Sequence, residues 1–437
     1  MPTFTRPHRR IAATLALIAF AVAPTTYVGW TALAIRRPEH LRQAEAEVGR
    51  ALGLSVRLDR VRYPRPGEAV YEGVSIRHRE PRSESHAEIA HADRLIVGRA
   101  HRELRLTAEG LRLSGDGPRQ VLEQVADWIK LDGVGQSGWD RVTLLAPSCR
   151  VELGGSDLAF QVRDLAGTYQ ADRGAPTFSA SCRVIEGDST TRCELTLTRD
   201  RQGASVRNLL TVATREGAPL PGRALRPFFD ATGWLGEKAT VVGELALRQR
   251  EGHEWEADFR GDLGSVDLDS LVGRRFGEHR MSGLAKVAIR SARWGDRGPL
   301  GFGWIDAEGT IAAGSGSISR SMLDAIGRQL RFRTPESIGP LGPDLPFDSM
   351  AMGFRMAEDG ALKLSGELGP DHPRDAVLID AKRVLAASPR EPGDVRGLVN
   401  ALFSSPADTP DLLVPTTAES QGVQRYLPMG RSVAASP

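Results

Sequence analysis

Four of the nine histidines, His78, His86, His91 and His101, fall within one stretch of the chain. Imidazoles grouped in this way are the first side chains to test as metal ligands or general bases. Their spacing fits neither one helix face nor one strand face, and their neighbours are charged, so they read as solvated strand and loop positions. Asp267 and Asp269 stand two apart, which on a strand would place two carboxylates on one face. No partner acid or base accompanies them, and exposed polar positions are the better reading. Gly314-Ser315-Gly316-Ser317 is the nearest approach to a glycine-rich loop, and between short strands it reads as a turn. The chain contains no GxSxG, HExxH, GxxxxGK[ST] or strand-borne GxGxxG. The residues therefore nominate no catalytic, cofactor-binding or metal-binding site, and the chain is expected not to be an enzyme.

Cysteine stands at 149, 182 and 193 without CxxC spacing, which argues against zinc and iron–sulfur sites. The odd count is compatible with one disulfide and one free buried thiol. Cys182 and Cys193 flank a turn centred on Gly187-Asp188 and face each other if the flanking strands pair. At non-hydrogen-bonded positions their Cβ atoms would lie about 4.5–5.5 Å apart, slightly wider than a relaxed disulfide prefers. A bridge and two reduced thiols both remain open. The formal net charge is only +2, with no basic run interleaved with aromatics, so a nucleic-acid partner is not expected. Charged residues at 26% and hydrophobic ones at 41% suit a folded chain. Basic residues are almost all Arg, and Asn occurs only at 208 and 400.

The elements that must position any site begin with a hydrophobic segment. From Ile11 to Ile35 the chain is uncharged, and about twenty apolar residues in a helix span the roughly 30 Å hydrocarbon core. Ile11, Leu15, Phe20 and Ile35 supply its apolar surface, and Tyr27 and Trp30 lie near its far end, where amphipathic rings favour the interface. A cleaved signal peptide is the alternative, with Ala21-Val22-Ala23 as the cleavage site. Pro24 directly after the cut and the length of the apolar run favour an uncleaved anchor. Arg6, Arg9 and Arg10 precede the span and Arg36, Arg37 and Arg42 follow it, so charge does not orient it.

Beyond the anchor, residues 39–52 carry helical spacing (Leu41, Ala44, Val48, Leu52), and then the period changes to two. Val56/Leu58, Val74/Ile76, Leu95/Val97, Leu104/Leu106 and Leu111/Leu113 alternate with polar partners. A helix is predicted over 118–130, then longer strands through Val151, Phe178–Val184, Cys193–Leu197, Leu245, Trp255–Phe259, Val287, Met352 and Leu362. Helical inserts are predicted over 224–235 and 321–330, a third near 376–387, and a flexible tail from Ser404. With no strand–helix–strand rhythm, the fold class is mainly β and antiparallel. The expected segments are 1–36 (stub and anchor), 37–115, 116–300, 301–370 and 371–437.

So many amphipathic strands admit two readings: a closed core, as in a sandwich or barrel, or an open curved sheet whose apolar face lines a groove. In the second, Leu158, Phe160, Val162, Leu195, Leu197, Trp255, Phe259, Val287 and Ile289 line the groove. Roughly twenty strands pairing in succession would make a body about 100 Å long.

Two stretches carry a family likeness. ALGLSVRLDRVRYPRPGEAVYEGVSIRHRE (51–80) follows the anchor and short helix as a glycine, a strand, a proline loop and an "EGV" strand. Downstream, IDAEGTIAAGSGSISRSMLDAIGRQL and PFDSMAMGFRMAEDGALKLSGEL (305–368) place a glycine-flanked strand before a helix, then a "PFD" strand before a "dG-x-L-x-L-x-G" hairpin. The chain resembles AsmA-like proteins, relatives of bridge-like lipid transfer proteins, over its two ends. That resemblance implies a single-pass bacterial inner-membrane protein, a periplasmic β-groove, membrane lipids as partners, and a role in phospholipid transfer or outer-membrane homeostasis. The chain is short for the family and has a polar tail outside its pattern. An envelope scaffold or biogenesis factor, acting through protein partners and with a closed core, is the alternative.

Overall fold

The structure is a computed structural model that describes residues 38–394 apart from 53, 80–85, 116, 132–138, 154–158, 173, 203–205, 227–230, 251–254, 274–275, 277–278, 296–303, 335–342 and 382, together with Thr14 and Thr26. The anchor positions Ile11, Leu15, Phe20, Tyr27, Trp30 and Ile35 and the tail from Ser404 lie outside the described residues. Among those described, no helix is long and apolar enough to cross a membrane.

The first predicted helix forms as α1 (Pro38–Leu52). Pro38 sits in its first turn, where a missing N–H costs nothing. Leu41, Ala44 and Val48 present one stripe, packed on Val56 and Leu58. The chain then enters the sheet through β1 (Ser55–Arg57), β2 (Arg60–Arg65), β3 (Glu68–Arg79), β4 (His86–Ala100), β5 (Glu103–Glu109) and β6 (Leu111–Ser114). Within Glu72-Gly73-Val74, Gly73 adopts φ +61° and a Cβ there would lie 2.0 Å from Asp59 Oδ2. Only glycine fits at that point of β3.

The predicted helix over 118–130 forms as α2 (Gly117–Leu131) and leads into β7 (Arg141–Glu152). Here the antiparallel expectation needs correction. β7 runs parallel to β5 and β6, because α2 carries the chain back to the end of the sheet where β5 began, so that β7 sets out in the same direction. From β7 on, the order is antiparallel and successive: β8 (Ala159–Gln170), β9 (Thr177–Glu186), β10 (Ser189–Asp200) and β11 (Arg207–Gly217). The two-residue β12 (Leu220–Pro221), a 3₁₀ turn Gly222–Leu225 and the short α3 (Ala231–Leu235) replace the single insert predicted over 224–235.

The sheet continues through β13 (Thr240–Arg250) and β14 (Trp255–Asp267). Beyond β15 (Met281–Ser282) come β16 (Leu284–Gly295) and β17 (Trp304–Ala313), each paired with its predecessor in the large sheet. β18 (Gly316–Ser319) pairs with β15 in a separate small sheet. α4 (Arg320–Gln329) follows, its N-terminus capped by Ser319 Oγ, which accepts from Met322 N at 3.2 Å. β19 (Asp344–Phe347) completes the small sheet, and β20 (Ser349–Met356) rejoins the large one beside β17. β21 (Ala361–Gly366), β22 (Ala376–Asp380), β23 (Arg383–Ala387) and the short β24 (Gly393–Asp394) close the far end.

The helix predicted near 376–387 is thus a hairpin. Ala376-Val377-Leu378-Ile379 are all buried, and a short run buried on both faces has no periodicity to tell a strand from a helix. The sheet is also shorter than twenty successive strands would make it. β1 and β2 share one flank of β3, β5 and β6 lie between β4 and β7, and β21 and β22 share one flank of β20. About fifteen steps of roughly 4.8 Å give about 70 Å.

Candidate functional site

The register decides which side chains share a face, since neighbours in a strand alternate. One row runs Ala180, Leu195, Val212, Leu245, Phe259, Ala292, Ala307, Met356 and Leu362 from β9 to β21. Beside it runs Phe178, Leu197, Leu210, Leu247, Ala257, Trp294 and Ile305. On the other side, Gly261, Ile289, Gly309, Phe354 and Leu364 form a third row. Bulges in β8, β14 and β16 restore the alternation where it would slip.

The opposite face carries cross-strand ion pairs. Arg215 reaches Glu194 at 3.0 Å and Glu244 at 3.3 Å; Lys286 meets Asp262, Arg290 meets Glu308 and Arg293 meets Asp306. Each exposed pair contributes little to stability, but together they keep that face in water.

Four packed clusters cover parts of the apolar face. α1 covers the first strands. α2 lays Val125 and Ile129 over Val142, Tyr169, Phe178, Leu197 and Leu210. The 3₁₀ turn places Ala224 and Leu225 on a cluster containing Phe160, Val162 and Val184. At the far end α4 and the small sheet pack on Ala285, Ala313, Met350 and Leu378, with Val287 and Met352 at the border.

Between these caps the face changes character. Leu197, beneath α2, is 7% exposed, whereas Leu195, two residues earlier in the same strand, is half-buried. Val212, Leu245, Leu247, Phe259, Ile289, Trp294, Ile305, Phe354 and Met356 are likewise half-buried and belong to none of the four clusters. They form the floor of an apolar trough. A facing glycine pair, Gly243 and Gly261, lies within it; a Cβ on either would come within 2.2 Å of the partner strand's carbonyl oxygen, so neither strand tolerates one.

The predicted groove residues divide accordingly. Every described one lies on the apolar face, but Phe160, Val162 and Leu197 are buried beneath caps and Val287 borders the far cluster. Leu195, Phe259 and Ile289 line the open trough. Leu158 lies outside the described residues, and Trp255 takes the register position opposite Gln249. Sequence reasoning missed Val212, Leu245, Leu247, Trp294, Ile305, Phe354 and Met356 as lining residues. Met352/Phe354/Met356 alternated visibly, but nothing in one strand's pattern tells which rows a helix covers.

No protein-family model matches the chain, and the comparisons with curated proteins and with solved structures return no match. The site is therefore read from its own geometry.

The remaining candidates stay apart. The register sets His78 opposite Ala87, His86 opposite Arg79 and His91 opposite Ser75, and His101 occupies the β4–β5 turn at φ +50°. His91 lies 3.6 Å from both Glu88 and Asp93. Among the described residues no group of three His, Cys, Asp or Glu could hold a metal ion. Asp267 caps a turn, with Oδ1 accepting from Asp269 N at 3.0 Å and Oδ2 from Ser270 Oγ at 2.8 Å. Gly316 and Ser317 begin β18, and Ser317 Oγ lies 2.8 Å from Ser282 Oγ.

Cys182 and Cys193 are direct cross-strand partners and carry free thiols. The two-residue turn at Gly187-Asp188 corrects the spacing expected for them. Alternation from the turn makes theirs a hydrogen-bonded pair, Cα atoms about 5.5 Å apart, rather than the closer kind. A hydrogen bond from the Cys193 thiol lowers the Cys182 pKa and, with burial, raises that of Cys193. Burial, and then the charge of a Cys182 thiolate, push Cys149 up to about 12.

A cavity of about 320 Å³ lies at the strand ends of β7, β8 and β9 beside Phe160 and Ile185, with Arg150 and Arg223 in its wall. Both guanidiniums are committed to carboxylates, Glu152 and Glu186.

Proposed function

We propose that this chain is a non-catalytic, membrane-anchored protein of the bacterial envelope that handles lipids, holding acyl chains in the apolar trough for phospholipid transfer or outer-membrane homeostasis. The observation that carries this reading is the exposure pattern along one face. Alternating apolar positions are sealed at both ends of the sheet and half-open over β10, β11, β13, β14, β16, β17 and β20. That span is about 29 Å wide and about 14 Å deep along the strands, or roughly 400 Å², the size at which the largest apolar patch of a monomer is often functional. Acyl burial gains about 0.8 kcal/mol per methylene, so a trough covering half of each methylene over ten carbons supplies about 4 kcal/mol without any catalytic residue. The test is mass spectrometry of the organic extract of the detergent-solubilised full chain, after exhaustive exchange into a lipid-free detergent. Stoichiometric retained phospholipid is expected; a lipid-free, folded protein that binds no added lipid overturns the reading.

A further inference from the structure

We propose that the edge of the large sheet where β13–β14 and β16–β17 turn back is a contact surface for a phospholipid bilayer, through which the trough exchanges its lipid; this rests on the lipid reading above. The other sides of the trough are closed. α2 covers Phe178, Leu197 and Leu210 at one end, and α4 with the small sheet covers the other. Along one edge the floor abuts the 3₁₀ turn, α3 and a π-helical turn, Asp269–Gly273, which pack on Cys193, Leu263 and Val266. At the opposite edge the outermost apolar floor residues of β13, β16, β17 and β20 are Leu247, Trp294, Ile305 and Met356. Each is half-buried and belongs to none of the four clusters. The apolar floor therefore runs out to the strand ends on this side alone.

The residues gathered there suit the boundary of a bilayer. Trp255 and Trp304 are the first residues of β14 and β17, and Trp304 pairs in the ladder with Gly295, next to Trp294. Three of the chain's seven tryptophans thus fall at one edge of three neighbouring strands. An indole, apolar in body and polar at its N–H, prefers the boundary between hydrocarbon and water. On the outer face Arg207 stands opposite Arg250 in the ladder, a like-charge pairing that costs free energy in water and is relieved beside anionic headgroups. Asp200, on the other flank of Arg207, accepts from Gln202 N at 2.9 Å. Arg207 and Arg248 are both exposed, and neither makes an ion pair with a described residue. The chain also comes to the sheet from its hydrophobic segment at this same edge. α1 starts where His40 Nε2 lies 3.0 Å from the hydroxyl of Tyr63, an amphipathic ring that is 45% exposed. From there the edge runs through Glu68, Gly98, Glu103, Arg141, Gln170 and Thr177 to Arg207. A bilayer that holds the anchor is thus met by the edge on which the trough opens.

The test uses the full chain in nanodiscs of phosphatidylcholine and phosphatidylglycerol, with photoreactive p-benzoylphenylalanine replacing one residue of β14 at a time. Phe259 reads the floor. Glu256 reads the outer face at the edge, and Asp262 reads that same face about 20 Å further along the strand. Circular dichroism checks that each variant is folded. Irradiation followed by mass spectrometry should find lipid adducts at 259 and at 256. The yield at 256 should exceed that at 262 about fivefold or more, because the interfacial layer of a bilayer is too thin to reach 20 Å from its hydrocarbon. Lipid at 259 but not at 256, or equal yields at 256 and 262, overturns the contact edge and leaves the trough standing. No lipid at 259 overturns the trough itself. Adducts of position 256 with residues beyond Asp394, or with a second copy of the chain, assign the edge to protein and overturn the bilayer as its partner.

Discussion

Adjacent residues of β14 offer an internal control for the trough. Phe259 points into it, in line with Leu245 and Ala292, while Arg260 faces water 3.6 Å from Asp258. Phe259→Asp places a carboxylate on the floor. A bound chain then loses contact with about four or five methylenes, half-covered at about 0.4 kcal/mol each, or about 2 kcal/mol. Desolvating the carboxylate adds about 1–3 kcal/mol, so lipid affinity should fall at least 100-fold. Arg260→Asp introduces the same group one residue later on the other face; it loses the pair with the largely buried Asp258 and sets a carboxylate opposite Glu244, so it costs stability, about 1–2 kcal/mol, without touching the floor. The assay is retained phospholipid per protein by mass spectrometry, together with equilibrium binding of a fluorescent phospholipid. Circular dichroism would confirm that both variants are folded. Lipid lost from Phe259→Asp and kept by Arg260→Asp is the expected outcome. Equal retention by the two folded variants would refute the reasoning, because no period-two face would then be in contact with lipid.

Phe160→Asp should behave differently. Phe160 is 7% exposed under the 3₁₀ turn, so a charge there should unfold the protein or cost at least about 3–5 kcal/mol in denaturant titration. Gly261→Ala drives a Cβ to 2.1 Å from Val242 O and should cost about 1–3 kcal/mol, read as a lower denaturation midpoint with an unchanged slope. Thiol labelling in denaturant without reductant should find three reactive cysteines; a count of one, with Cys149 the labelled residue by peptide mapping, would establish the Cys182–Cys193 bridge instead. The Cys149 thiol is raised from 9.0 to about 12 in the fold, so the native state holds its proton longer than the unfolded chain. Its contribution to stability is complete below about pH 9 and is lost as pH rises towards 12; Cys149→Val should flatten that part of the melting-temperature profile.

Much of the fold was legible because the sheet is amphipathic. A face in water next to a face in contact with apolar groups writes period two into β8, β9, β10 and β14, and helical stripes were equally plain in α1, α2 and α4. What failed was information that no local period holds. Val377 and Leu378 are buried on both faces of β22 and so showed no alternation. The parallel joint at β7 is set by where α2 crosses, which depends on the packing of Val125 and Ile129. The site was half legible for the same reason. Phe160 and Phe259 have the same alternating surroundings in sequence, and only the distant 3₁₀ turn, landing on one and not the other, separates core from trough.

The trough follows from a mismatch between the length of the sheet and the helix available to cover it. α2, with 15 residues, is about 22 Å long and can cover only four or five strands at about 4.8 Å each. Its last apolar turn places Ile129 over Leu197 and Leu210. Cover resumes with α4 and the small sheet, whose cluster includes Met350 of β20. The opposite face is unsuited to an apolar partner, since Arg215, Lys286, Arg290 and Arg293 there sit in ion pairs that burial would strip of water. In the reading proposed above, an acyl chain supplies the hydrocarbon that no described element lays over these rows.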